Sequence, residues 1–312
     1  MQKLRKILYK LGWLKAYWEV DRFRYLKRLG KPGGDDWRYA SKDDAAQFDG
    51  REVVASIAGE GVPILFFCHP RSVIEAEILK KGGFQIRILE LGLSLVRAPG
   101  LVLDVGSNIG AYAVPWAGRC PQAIVHCFEP HPASLARLRR NVELNGLDAR
   151  VHLHALALSD TTGEAVLHAI RADDGNQGLS TLRPDILGSA ASTPLSVPVR
   201  RLDDVLAGET SPVRLIKVDV QGHELEVLRG GRAIIERDRP PIIMEHEDVL
   251  FASAQAAERK AELGDFLEQL GYAALYVSRW GAGLMTQVNW SRPLNGDILA
   301  VPLRAAGGTD GQ

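Results

Sequence analysis

Ten residues, Leu-Val-Leu-Asp-Val-Gly-Ser-Asn-Ile-Gly at 101–110, constrain this chain more than any other stretch. An apolar run carrying one acid enters a G-x-x-x-G turn, and a helical pattern follows over 111–118, which spells buried strand, tight turn and helix. Glycines in such a turn let the backbone approach a ligand closely, and ligands of open parallel sheets bind beyond the carboxyl ends of the strands. From Leu101 onward, apolar runs at 101–105, 124–129, 151–158, 213–220, 241–245, 273–277 and 298–303 alternate with helical stretches in most gaps. That alternation predicts an α/β fold with a doubly wound, mostly parallel sheet covered on both faces. Residues 272–280 and 296–303 are joined by a Gly-containing loop with no helical pattern, which predicts a terminal antiparallel hairpin.

The chain has 312 residues, more than one average domain, so the regular region is assigned to a domain over 96–304, with an N-terminal extension over 1–95 and a flexible tail over 305–312. Within the extension, residues 1–31 combine Lys3, Arg5, Lys6, Lys10, Lys15, Arg22, Arg24, Lys27 and Arg28 with Leu4, Leu8, Leu11, Trp13, Leu14, Tyr17 and Trp18, the pattern of a basic amphipathic helix. Such a helix lies on an anionic membrane surface, or it packs on its own domain or on a second subunit. Residues 62–68 then predict a strand, and 72–96 a helical region broken at Gly82-Gly83. A strand-like run at 164–170 precedes a long Gly-, Ser- and Pro-rich stretch, from which a substrate lid over 171–198 is expected.

Lys+Arg and Asp+Glu are balanced at 38 each, which disfavours a nucleic-acid partner. Three cysteines, Cys68, Cys120 and Cys127, with no C-x-x-C spacing, point to neither a disulfide framework nor a zinc knuckle. A cytoplasmic setting is expected, with residues 1–31 offering peripheral contact to the inner membrane surface, since neither a signal peptide nor a run of transmembrane length is evident.

The second strand ends at Glu129, 25 positions past Asp104. An acid there can accept both hydroxyls of a ribose, so the cofactor is nucleotide-like. Two carboxylates, Asp104 and Glu129, suit a positively charged cofactor better than a polyanionic one. The bland role for Glu129 is to cap the helix begun at Pro130. The spacing is neither the G-x-G-x-x-G of dinucleotide sites nor that of a phosphate loop, which counts against a nicotinamide-dependent oxidoreductase.

Four blocks now stand in order: DVGSNIG at 104–110, FEP at 128–130, ALSD at 157–160 and KVDVQGHELEVLRG at 217–230. Together they resemble the FkbM-type methyltransferase family over about residues 101–247. The resemblance implies a Rossmann-like fold and S-adenosylmethionine as cofactor, held by Asp104, Gly106, Ser107, Asn108, Gly110, Glu129 and Pro130, with Ser159 and Asp160 near the adenine. It also implies O-methylation of a hydroxyl on a sugar, glycan or natural-product small molecule. Ser107 stands where alanine is common, and Gln221 where many members carry Glu.

Methyl transfer to a hydroxyl needs alignment, exclusion of water and a base. By position at strand ends, Asp219 and His223, with Glu245 and His246 opposite, are the candidates for the catalytic side. Asp219, Glu245 and His246 are also ligand types for a divalent metal, but spacing does not establish a metal site and none is assigned. His126, His152 and His154 fall within strands, and His131 fits the start of a helix. A non-catalytic binding module that docks through residues 1–31 is the remaining rival.

Overall fold

A computed structural model describes residues 52–57, 63–69, 72–170, 180–186, 192–251, 253–277 and 285–303. The expected amphipathic helix at 1–31 and the tail at 305–312 lie outside these residues. The described chain begins with an antiparallel ribbon of β1 (Val53–Ile57) and β2 (Ile64–Cys68), followed by α1 (Val73–Lys81) and α2 (Ile86–Leu95). The break between the helices falls at Gly82, whose φ of 69° closes α1 in the left-handed conformation that glycine adopts without a Cβ penalty.

The regular region then gives β3 (Gly100–Val105), α3 (Ala113–Arg119), β4 (Ala123–Phe128), α4 (Pro132–Leu144) and β5 (Val151–His154). After these come β6 (Ala157–Leu158), β7 (Gly163–Ile170), β8 (Ser192–Arg200), α5 (Leu202–Val205), β9 (Val213–Val218), α6 (Glu224–Gly230) and α7 (Arg232–Asp238). The chain closes with β10 (Ile242–Glu247), α8 (Ser253–Gln269), β11 (Tyr272–Val277), β12 (Met285–Gln287) and β13 (Asn295–Pro302). Eight strands form the main sheet in the order β12-β11-β13-β10-β9-β3-β4-β5. β5, β4, β3, β9 and β10 run parallel, and β13, β11 and β12 add antiparallel. The terminal hairpin is present, and its second strand lies inside the first, with β13 against β10 and β11 beyond it.

β3 is buried on both faces, as a continuous apolar run in a parallel sheet requires. Val102 joins a core with Phe66, Ile78, Leu89 and Trp116, while Leu101, Leu103 and Val105 join one with Ile216, Leu225 and Leu267. The first of these cores draws on residues either side of position 95. Trp116 is fully buried and donates its indole N–H to the Leu89 carbonyl at 3.0 Å, tying α2 to α3.

Two expectations change. The apolar run 151–158 is not one strand: 151–154 pair with β4, while 157–158 leave for a second sheet, ordered β6-β8-β7. Residues 192–198, expected in the lid, belong to β8, where Leu195 and Val197 pair with Leu167 and Ala165 of β7. Pro194 and Pro198 had disguised that strand. Both lie outside the short stretch, Val199 and Arg200, that pairs with β6, so there β8 is an edge and tolerates proline. Of the rest of the lid, 180–186 are described, while 171–179 and 187–191 lie outside the described residues.

Candidate active site

The turn after β3 is fixed by its neighbours on both sides. Gly106 and Ser107 donate their N–H groups to the Phe128 carbonyl at 3.0 and 3.2 Å, and Asp219 donates its own to the Val105 carbonyl at 3.0 Å. Gly106 has φ +79°, and a Cβ there would meet the Asp219 carbonyl oxygen at 1.9 Å. Only glycine lets these two strand ends close together. Asn108 is left-handed at φ 47° and donates its N–H to Glu129 Oε2 at 2.8 Å, while the His131 N–H reaches Glu129 Oε1 at 2.8 Å. Each Glu129 oxygen thus keeps a lone pair for another donor. The helix cap itself is His131, whose Nδ1 accepts from the Ser134 N–H at 3.3 Å.

Beside the turn lies a pocket whose walls include Gly106, Asn108, Phe128, Glu129, Pro130, Leu156, Ala157, Leu158, Leu167, Asp219, Val220 and His223, with Ser180, Thr181 and Leu182 contributing from the lid segment. Thr181 is pinned there by its hydroxyl donating to the Gln221 carbonyl at 2.9 Å. Burial pushes the Glu129 carboxyl up to about 7.

Behind the pocket stands Asp104, with no exposed surface and no hydrogen-bond partner for either carboxylate oxygen. Burial raises it to about 6, against the pull of Lys217, whose Nζ is 3.9 Å away. Lys217 donates to Asp219 Oδ2 at 3.1 Å, and Gln221 Nε2 donates to Asp219 Oδ1 at 2.9 Å and to Glu245 Oε2 at 3.3 Å. Burial alone would raise the Asp219 carboxyl; the Lys217 charge and these hydrogen bonds outweigh it and hold Asp219 below the usual carboxylate range.

The expected site residues therefore separate into groups. Gly106, Asn108, Glu129 and Pro130 line the pocket. Ser107 supports the turn, its hydroxyl donating to the Asp104 carbonyl at 2.6 Å, and Gly110 lets Leu138 of α4 pack close. Ser159 is buried behind the wall, where its hydroxyl meets His223 Nε2 at 2.9 Å, and Asp160 is exposed. Asp219 and Glu245 come together through Gln221. His223 does not join them: its Nε2 faces the Ser159 hydroxyl, its Nδ1 lies 3.7 Å from Glu226 Oε2, and burial lowers its pKa below the usual imidazole value. His246 is turned away altogether, buried and bonded through Nε2 to Asp248 Oδ1 at 2.9 Å, because successive residues of β10 point to opposite faces. The three ligand types Asp219, Glu245 and His246 consequently do not converge.

Lys217, Asp297 and the lid residue Thr181 went unassigned in the sequence. Asp297 is buried and paired with Glu245 across the β10–β13 register. A charged residue inside an apolar run, as in Leu-Ile-Lys-Val and Gly-Asp-Ile-Leu, was the available signal for the first two.

The turn, the acid at the end of the next strand and the polar end of β9 are the parts of a Rossmann-like methyltransferase. Residues 104–274 match the FkbM methyltransferase domain, and the chain belongs to that family of methyltransferases. It is 32% identical over 181 residues to the 2-O-methyltransferase NoeI of Sinorhizobium fredii, covering 53% of this chain and 71% of NoeI. It is 30% identical over 181 residues to the 31-O-demethyl-FK506 methyltransferase FkbM of Streptomyces tacrolimicus, covering 50% and 68%. To the hexuronic acid methyltransferase AglP of Haloferax volcanii it is 30% identical over 144 residues, covering 46% and 54%. Among the described residues no helix is long and apolar enough to cross a membrane.

Proposed function

We propose that this methyltransferase uses S-adenosylmethionine to methylate a hydroxyl of a sugar, glycan or natural-product small molecule. One observation carries the reading: blocks scattered from 104 to 223 supply the walls of a single pocket, with Gly106 and Asn108 from the first, Phe128, Glu129 and Pro130 from the second, Ala157 and Leu158 from the third, and Asp219 and His223 from the fourth. The relatives, two of them O-methyltransferases by name, support the acceptor class.

The residues fit the cofactor. Glu129 is oriented by two backbone N–H groups and free to accept from a ribose diol; Phe128, Leu156 and Leu158 offer apolar surface for a purine; and Asp104, Asp219 and Glu245, balanced by the single charge of Lys217, leave this end of the pocket the negative charge that a cationic ligand needs. When bound, S-adenosylmethionine supplies an electrophilic methyl group on a sulfonium. The chain's own contribution is alignment: Asp219 and Glu245, bridged by the Gln221 amide, orient an acceptor hydroxyl and accept its hydrogen bond, while Thr181 and Leu182 help exclude water. His223 serves the donor side.

Calorimetric titration with S-adenosylhomocysteine and with NAD tests the cofactor: binding of the first and not the second is expected. Transfer of labelled methyl to a panel of sugars and hydroxylated metabolites tests the acceptor class, and transfer only to nitrogen or carbon nucleophiles would overturn it.

A further inference from the structure

Lys217 is the least expected residue in the molecule: an ammonium 4% exposed, on a central strand, with carboxylates on two sides. Its Nζ lies 3.1 Å from Asp219 Oδ2, 3.9 Å from Asp104 Oδ1 and 4.5 Å from the centroid of the Tyr112 ring. Tyr112 is in turn fixed by its hydroxyl donating to Gln85 Oε1 at 2.6 Å. The cation therefore has a carboxylate from β3, a carboxylate from the end of β9 and an aromatic face, and no room to leave.

We propose that Lys217 is a positioning residue, the internal counter-ion that keeps Asp219 charged and aimed at the pocket. The proposal rests on the assignment of the pocket to a cationic methyl donor. A buried carboxylate, Asp104, and a partly buried one, Asp219, flanking Lys217 Nζ at 3.9 and 3.1 Å, resist being ionised together without a cation between them. Glu245, bridged to Asp219 by Gln221, adds a third, and Asp297 stands opposite Glu245 across the β10–β13 register. Around Asp104 the other titratable groups are Glu129, Cys127 and Tyr112, none of which brings positive charge. Lys217 is thus the cation that makes the Asp104–Asp219 pair tolerable. Without it the folded protein takes up a proton on the pair. The Asp219 oxygen that Lys217 holds is then free to turn, and the wall facing the donor loses charge.

The sign of the effect follows from proton binding. A carboxyl whose pKa rises on folding stabilises the folded state most below its unfolded pKa, and that contribution is lost as pH rises through the folded value. Burial already places Asp104 at about 6 with Lys217 present. Replacing the lysine moves the loss upward, through neutrality.

The test uses the full chain, with S-adenosylmethionine as the probe and the uncharged thioether S-adenosylhomocysteine as its control. Against wild type at the same pH, Lys217→Met is expected to bind the probe about tenfold or more weakly near pH 7, with the gap narrowing toward pH 9 as the carboxylates ionise. In urea unfolding without ligand, the same variant should lose more stability than wild type between about pH 6 and 9, where wild type already loses the contributions of the buried Asp104, Glu129 and Glu224 carboxyls, raised to about 6, 7 and 7. Lys217→Arg should restore most of the affinity. A binding ratio that is the same at every pH, or no loss at all, overturns the proposal. If Lys217→Met does not fold, the double variant Asp104→Asn/Lys217→Met decides: removing one charge of each sign is expected to restore folding, and failure to do so sinks the counter-ion role. Absence of binding by wild type would refute the donor reading instead, leaving the pH dependence of unfolding to judge Lys217 by itself.

Discussion

The two walls of the pocket are built on different principles. The β3–β4 wall is held by backbone: Gly106, Ser107 and Asn108 are tied through their N–H groups to Phe128 and Glu129, so its shape follows from glycine positions and one acid. The β9–β10 side is held by side chains behind the pocket: Lys217, Asp219, Gln221 and Glu245 support one another through charge and amide contacts, and of these Asp219 lines the pocket. A backbone-built wall is rigid and tolerates little change of shape, whereas a side-chain network is tuned by charge and depends on pH. Under the proposed function, the first suits the constant nucleoside part of the donor, and the second suits its charged end at Asp219 and the chemistry on a variable acceptor.

The largest effect should come from a change of shape on the backbone wall. Gly106→Ala places a methyl 1.9 Å from a main-chain oxygen and in a left-handed conformation. Overpacking and backbone strain together should cost about 3 kcal/mol of stability or more. Urea denaturation reads the loss, and donor binding should go with it; a stable, donor-binding alanine variant would show that this wall is looser than its hydrogen bonds suggest. Next comes charge on the other wall. Asp219→Asn leaves shape almost unchanged but is expected to lower turnover about 100-fold or more if Asp219 meets the reacting oxygen as proposed. Turnover within a few fold of wild type on the true acceptor would remove Asp219 from the chemistry.

Glu129 belongs to both descriptions, since its position is set by backbone and its function is charge. Glu129→Ala should weaken S-adenosylhomocysteine binding by about 1 to 3 kcal/mol, read by calorimetry. Its carboxyl is raised from 4.5 to about 7, so its contribution to the stability of the unliganded fold is fully present below about pH 4.5 and is lost as pH rises through 7. Glu129→Gln should flatten that segment of the stability–pH curve. A curve that keeps its slope would place the titration elsewhere.

The same contrast explains what the sequence revealed. Glycines at fixed offsets, an acid at the end of the following strand and an alternating pattern of strands and helices are local marks, and they located β3, β4, Gly106, Asn108 and Glu129. The antiparallel terminal strands were legible because no helical pattern separates them. β8 was hidden by prolines that only the sheet order makes harmless. On the β9–β10 side, sequence located the strand ends that carry Asp219 and Glu245 but not the directions of their side chains. Glu245 and His246 are neighbours in sequence and opposites in space, and the 3.1 Å approach of Lys217 to Asp219 depends on a face that periodicity in an all-apolar strand does not specify.

His246 gives the smallest effect on chemistry and the sharpest test of that last distinction. Its imidazole is buried against Asp248, which also accepts from Lys260 Nζ at 2.5 Å and from the Leu294 N–H at 2.8 Å. This is a structural knot that ties β10 to α8 and to the approach to β13. Removing the ring leaves Asp248 with two of its three donors and opens a small space, so His246→Ala should cost about 1 to 2 kcal/mol in stability. Turnover per folded molecule and donor affinity should remain at wild-type values, because no atom of His246 lines the pocket. His223→Ala is its counterpart on the pocket side: it should raise the donor's KM while sparing kcat, since its ring lines the pocket, bonded to Ser159, on the side that the proposed function gives to the donor. The pair separates histidines that sequence position alone had grouped as catalytic. A drop in kcat for His246→Ala at unchanged stability would mean that β10 presents both of its faces to the acceptor, and the division between a backbone-built donor wall and a charge-built acceptor wall would fail at that strand.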